Sequence, residues 1–266
     1  MIRKKTSILI NFQLLIFAGL ISIANGGFSL NPLITILEIS KEKTSAEVFL
    51  KFEGDVKRPV AVELKITERE VSIDGKKVIH TDSKKVSEKF IIYPAQVVLM
   101  PGETQRVQIK WVGDAIPKKE IAYGLIASEV PVKIGDEDEE REKVELRLYL
   151  VARYEGIIVL RPSGIKPHLV VESAINKKDE EGKDRLMVTL NNKGTGLQNL
   201  KGLNLRISLL DKNGQIMKSN SIRYKPDLLP KQIEHSVFAG YDRILDLPWP
   251  EEIPAGPVRV SVEFEK

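Results

Sequence analysis

The segment Val144 to Ala152 constrains the fold most, because Val144, Leu146, Leu148, Leu150 and Ala152 occupy every second position. In an extended chain, successive side chains point to opposite sides. These five therefore share one apolar face, while Glu145, Arg147 and Tyr149 lie on the other. The segment follows an acidic run, Asp136 to Glu142, and leads toward Arg161-Pro162. Two readings of such a strand stay open at this level. Its apolar face belongs to the core of its own sandwich, or it is lent to another polypeptide.

The N-terminus bears on the compartment. Arg3, Lys4 and Lys5 precede an apolar run from Ile8 to Ile23, and Ala24, Asn25, Gly26 and Gly27 follow. Basic region, apolar region and small residues, in that order, predict a secretory signal over residues 1–26 and cleavage near Gly26. The run contains Asn11 and Gln13 and is short for a bilayer span, so no stable membrane insertion is expected after cleavage. No cysteine is present, which closes the lipoprotein route and means that no disulfide staples an exported fold. Burial of apolar area in a chain of about 240 residues must supply the stability instead.

The signal also changes the meaning of the formal charge of +4. Without its three basic residues the balance is close to neutral, with the remaining charges of both signs interspersed. That is a solvated surface, not a phosphate-tracking stripe, and no nucleic-acid partner is expected.

Alternation at period two recurs along the rest of the chain. Ala46 to Phe52 and Val60 to Thr67 read as strands, as do Gln105 to Trp111, Ile121 to Val130, Arg185 to Leu190 and Val258 to Phe264. Phe28 to Ile39 reads as an edge strand or bulge around Asn31-Pro32, since proline removes a ladder donor. Phe90 to Leu99 reads as one strand before the Pro101-Gly102 turn. Asp74-Gly75 and Asp211 to Gly214 are turn signals. Helical periodicity is nowhere sustained. The expected fold class is all-β with two sandwiches, divided at Arg161-Pro-Ser-Gly164: a first domain over 27–161 and a second over 162–266.

The inventory of reactive groups is thin. His80, His168 and His235 are isolated in sequence and read as surface histidines. No His-Glu-x-x-His stretch or cysteine cluster supports a metal, and no Gly-x-Ser-x-Gly turn supports a nucleophile. Lys193-Gly194-Thr195-Gly196 lacks the length and the final Lys-Ser/Thr of a phosphate loop and reads as a turn. The acidic run 136–142 reads as a solvated loop. Neither enzyme, metal nor cofactor is expected.

Taken in order, several segments resemble the periplasmic pilus-chaperone family of chaperone–usher systems, and most closely its archaic or alternative fimbrial branch. They are Phe90 to Val107 with its Pro-Gly turn, Ala122 to Pro131 ending in Glu129-Val130-Pro131, and Val144 to Tyr154 continuing through Val159. Leu190 to Gly194, Val237 to Gly240 with Arg243, and Ile253 to Gly256 fit the looser pattern of the second domain. The resemblance implies two immunoglobulin-like β-sandwich domains in an L- or boomerang-shaped arrangement, and a periplasmic location. It implies that the chain binds a fimbrial or surface-fibre subunit by donor-strand addition, with an outer-membrane usher as a candidate second partner. Val144, Leu146, Leu148 and Leu150 are then the donor residues.

The family also grips the subunit's C-terminal carboxylate with a basic pair in the cleft between its domains. Arg153 is the candidate carboxylate anchor here, expected opposite the donor face and beside the domain junction. This chain departs from the pattern at the other member, where Ile34 stands at the expected basic position. That departure keeps the alternative in view: an exported structural or adhesive β-sandwich protein without subunit-chaperone activity.

Overall fold

The computed structural model of the chain describes residues 26–40, 44–54, 58–131, 151–226 and 235–265. The first part contributes β1 (Gly26–Asn31), β2 (Ile34–Ile39), β3 (Ser45–Gly54), β4 (Val60–Val71) and β5 (Val78–Thr81). A short helix, α1 (Lys84–Ser87), comes next. It is followed by β6 (Phe90–Tyr93), β7 (Gln96–Leu99), β8 (Thr104–Trp111), β9 (Ile121–Val130) and β10 (Arg153–Pro162). The second part contributes β11 (Leu169–Lys178), β12 (Asp184–Asn192), β13 (Gln198–Asn199), β14 (Leu203–Leu210), β15 (Ile216–Tyr224), β16 (Ser236–Val237), β17 (Asp242–Pro248) and β18 (Val258–Phe264). The all-β expectation is borne out.

Two sheets face each other in the first part. One has the order β1-β3-β8-β6, and the other β2-β10-β9-β4-β5 with β7 also paired to β4. Alternation is what fills the space between them. In β2 the residues Thr35, Leu37 and Ile39 are buried while Ile34, Ile36 and Glu38 are exposed. Leu37, Leu50, Leu99, Ile109, Leu125 and Ile158 are among the fully buried side chains of this core. Each such side chain contributes about 1.5–3 kcal/mol relative to exposure. A separate core, built around Leu186, Val188, Leu190, Leu205 and Ile207, fills the second part.

Two expected strands are each divided. Phe28 to Ile39 becomes β1, paired with β3 in one sheet, and β2, paired parallel to β10 in the other. Phe90 to Leu99 becomes β6, paired with β8, and β7, paired with β4. Both changes of sheet fall at prolines, Pro32 and Pro94, each preceded by a cis peptide bond. Hydrophobic period alone carries no information about which of two facing sheets a segment joins.

Loops of the second part are gathered by Asn192, which is fully buried. Its Nδ2 donates to the carbonyls of Gly196 and Val237, both at 2.8 Å. Its Oδ1 accepts from His168 N at 3.1 Å and Gly194 N at 3.0 Å. All of its amide capacity is thus used, as burial of a polar side chain requires. Gly194 is needed for close approach, since a Cβ there would lie 2.4 Å from both His168 N and Lys166 O.

Candidate functional site

The donor residues expected at Val144, Leu146, Leu148 and Leu150 lie outside the described residues. The structure resumes at Val151 and enters β10. Even-numbered positions of this strand turn inward. Ile158 and Leu160 are core residues, and Ala152 and Tyr154 pack against the same core. The Tyr154 ring meets Phe28 edge-on, with centroids 5.0 Å apart. Odd-numbered positions, Arg153 to Arg161, therefore lie on the outer face of the sheet.

Pairing along β10 is uneven. From Arg153 to Leu160 it is laddered to β9, but β2 joins only from Ile157 onward. Ile157 N donates to Leu33 O at 2.7 Å, and this is where the second neighbour begins. Among the described residues, no strand pairs with the other edge of Arg153 to Gly156. An edge with unpaired backbone groups is a template for another strand.

The outer face beside that edge is apolar at one end and polar in the middle. Ile34 pairs directly with Ile157, and Ile36 with Val159. Ile34 is 59% exposed and Ile36 is also exposed, so β2 presents isoleucines to solvent where the resemblance placed a basic residue. Toward the other end, Ala61 lies between Val98 on β7 and Val130 on β9, and the valines are exposed.

Two sequence expectations need correction here. Arg153 is on the outer face, as its parity predicted, but it begins β10 whereas the junction residue Arg161 lies near its end. Eight residues at about 3.3 Å each separate the two by roughly 26 Å. Nor is His80 a surface histidine: its side chain is only 7% exposed. It lies over Gly124, with Nδ1 3.1 Å from Thr67 Oγ1 and Nε2 3.4 Å from Glu155 Oε2. Burial holds its pKa below the ordinary 6.5; the nearby Glu155 opposes this, while Arg69 and Arg153 add to it.

The Thr67, His80 and Glu155 line brings a hydroxyl, an imidazole and a carboxylate together, the ingredients of nucleophile activation. Thr67 is 1% exposed, however, so its hydroxyl is closed to substrate. The line works as a structural link from β4 through β5 to β10. Among the described residues no group of three His, Cys, Asp or Glu side chains is placed to hold a metal ion.

Sequence reasoning missed the residue that joins the two parts. Glu120, with a side chain 1% exposed, accepts from Arg161 Nε and from the backbone N–H of Leu197. Its own N–H donates to Thr195 O at 2.8 Å. Lys119 Nζ donates to Ala239 O at 3.2 Å, and Ile244 N to Ile73 O at 2.8 Å. A cavity of about 220 Å³ lies at this seam, lined by Arg69, Lys119, Phe238, Tyr241 and Arg243 among others. The pattern Lys118-Lys119-Glu120 before an apolar strand carries no signal that its acid will be buried.

No family model matches the chain, and neither does any curated protein. Solved structures do. A chain of a chaperone–tip adhesin complex of CFA/I fimbriae biogenesis aligns with a TM-score of 0.51 at 12% identity, over 89% of this chain and 98% of its own. The class 5 fimbriae chaperone CfaA aligns with a TM-score of 0.50 at 13% identity, over 90% of this chain and 100% of its own. The architecture is the two-domain β fold of the fimbrial chaperones. The resemblance carried by Phe90 to Val107, Ala122 to Pro131 and Val144 to Tyr154 is borne out at the level of the fold.

Proposed function

We propose that this chain is a periplasmic chaperone that holds fimbrial or surface-fibre subunits by strand addition before they assemble. The half-open edge of β10 carries this reading: β9 covers one side, and among the described residues β2 pairs with the other only from Ile157 onward, not along Arg153 to Gly156. The alternating segment Val144 to Leu150 leads straight into that edge in sequence. Backbone pairing along an edge, with alternate side chains entering pockets, is how a lent strand completes a sandwich that lacks one. The shared fold of the CFA/I chaperone–tip adhesin complex chain and of CfaA supports the reading.

In this account residues 1–26 are the export signal, 27–161 the strand-lending domain and 162–266 the second sandwich. Val144, Leu146, Leu148 and Leu150 each insert into a subunit pocket, worth about 1.5–3 kcal/mol apiece. Arg153 is the proposed contact for the subunit's terminal carboxylate, which suits a planar guanidinium. An outer-membrane usher is the second partner. The role needs no catalysis, cofactor or metal.

A second reading is favoured by Ala152 and Tyr154, which face the domain's own core. In it the upstream apolar residues continue that core, and the protein is an exported structural or adhesive β-sandwich. One experiment separates the two. Leu146→Asp combined with Leu148→Asp, expressed in the native periplasm, should lose a co-purifying subunit while the thermal unfolding midpoint stays within a few degrees of the parent. Unchanged co-purification refutes strand lending, and a collapse of the midpoint favours the second reading.

A further inference from the structure

A polar strap crosses the outer face of the five-strand run β2-β10-β9-β4-β5. It starts at Thr67 on β4, passes through His80 on β5, bridges above Gly124 on β9 and reaches Glu155 and Arg153 on β10. The bridge requires glycine beneath it, since a Cβ on Gly124 would lie 2.2 Å from His80 Nδ1 and 2.4 Å from Thr67 Oγ1. The two oxygens of Glu155 have different partners. Oε2 faces His80 Nε2 at 3.4 Å, and Oε1 accepts from Arg153 Nε at 3.2 Å. A carboxylate only accepts, so the neutral ring carries its proton on Nε2, and Nδ1 accepts from the Thr67 hydroxyl.

We propose that His80 is a positioning residue acting through Glu155: when the imidazole is protonated its charge offsets that of the carboxylate, loosens the Arg153–Glu155 pair and frees the guanidinium for an incoming anion. The inference rests on the reading of Arg153 as a carboxylate contact. Neutral His80 offers Glu155 only an N–H dipole, whereas the imidazolium offers it a full positive charge. One anion then faces two cations, one largely buried and one 49% exposed. Screening by water weakens the exposed partner more.

Among the described residues, the groups that face His80 come from three strands. Across the β4–β5 ladder the residue opposite His80 is Arg69. On β9 the contact is Gly124. On β10 it is Glu155, with Arg153 beyond. The adjacent pair Lys65 and Asp82 is closed on itself at 2.7 Å. Because burial lowers the His80 pKa, the change falls on the acid side of 6.5. At neutral pH the ring is uncharged and Arg153 stays with Glu155.

Nitrogen-detected NMR of the whole protein tests the coupling without any partner. The Arg153 Nε resonance should shift with the same midpoint as the His80 ring, and the shift should disappear in His80→Gln and in Glu155→Gln. Circular dichroism checks that both variants remain folded. An Arg153 resonance that ignores the His80 midpoint, or that follows it unchanged in Glu155→Gln, overturns the proposal. A second arm titrates a short apolar peptide with a free carboxyl terminus against its amide. The free acid should gain about threefold in affinity below the midpoint, the scale of one exposed ion pair, in the parent but not in Glu155→Gln. Coupled resonances with equal binding of acid and amide support the coupling and remove the carboxylate role from Arg153.

Discussion

Arg161, near the end of β10, donates its Nε–H to the buried carboxylate of Glu120 at the seam between the two parts. The same carboxylate accepts the Leu197 N–H, so one side chain of the first part fixes both the connecting strand and a loop of the second. Removing it leaves a partly buried cation and an amide without their acceptor. Glu120→Ala should cost about 2–4 kcal/mol. Urea unfolding checks this: a single transition in the parent should resolve into two in the variant, because the parts no longer unfold together.

Asn192 makes four hydrogen bonds to three segments of the second part. Asn192→Ala leaves two carbonyls and two amides short of a partner in a buried site, a loss of about 3 kcal/mol. Hydrogen exchange should accelerate at Gly194 and His168, while amides of β3 and β8 in the first sandwich keep their protection.

Gly124→Ala should destabilise the first part by about 1–3 kcal/mol, because the new methyl falls inside the space of His80 and Thr67. Adding His80→Ala should recover part of that loss, giving a coupling of about 1 kcal/mol in a double-mutant cycle measured by chemical denaturation. Strict additivity would mean that the imidazole is not what fills the space above Gly124.

Stability should also depend on pH through His80. Its folded pKa lies below the ordinary 6.5, so the unfolded chain binds the proton more readily. The contribution is therefore fully present above 6.5 and is lost as pH falls through the folded value. At its steepest the slope is that of one proton, about 1.4 kcal/mol per pH unit. His80→Gln should flatten this segment of the stability profile between neutral and mildly acid pH.

Period-two alternation was enough to recognise the strands of β3, β4 and β8, because each has one face in a core. It did not tell β1 from β2 or β6 from β7, although at each change of sheet the buried positions slip from even to odd, from Leu30 to Leu37 and from Phe90 to Val97. His80 looked like a surface residue because its cover comes from Thr67, Gly124 and Glu155, which sit on three other strands. Glu120 looked ordinary for the same reason. Its burial depends on Arg161 and on a loop that arrives only when the second sandwich has formed. The outward parity of Arg153 was legible, but its distance from the junction needed the length of β10.

The pairing of Ile34 with Ile157 has a thermodynamic consequence. A surface that recognises its partner through paired charges weakens as salt is added, because counter-ions screen the attraction. Isoleucines carry no such penalty, and contacts made by removing them from water carry a negative heat-capacity change. A partner seated on this part of the outer face should hold through a high-salt wash and loosen on cooling.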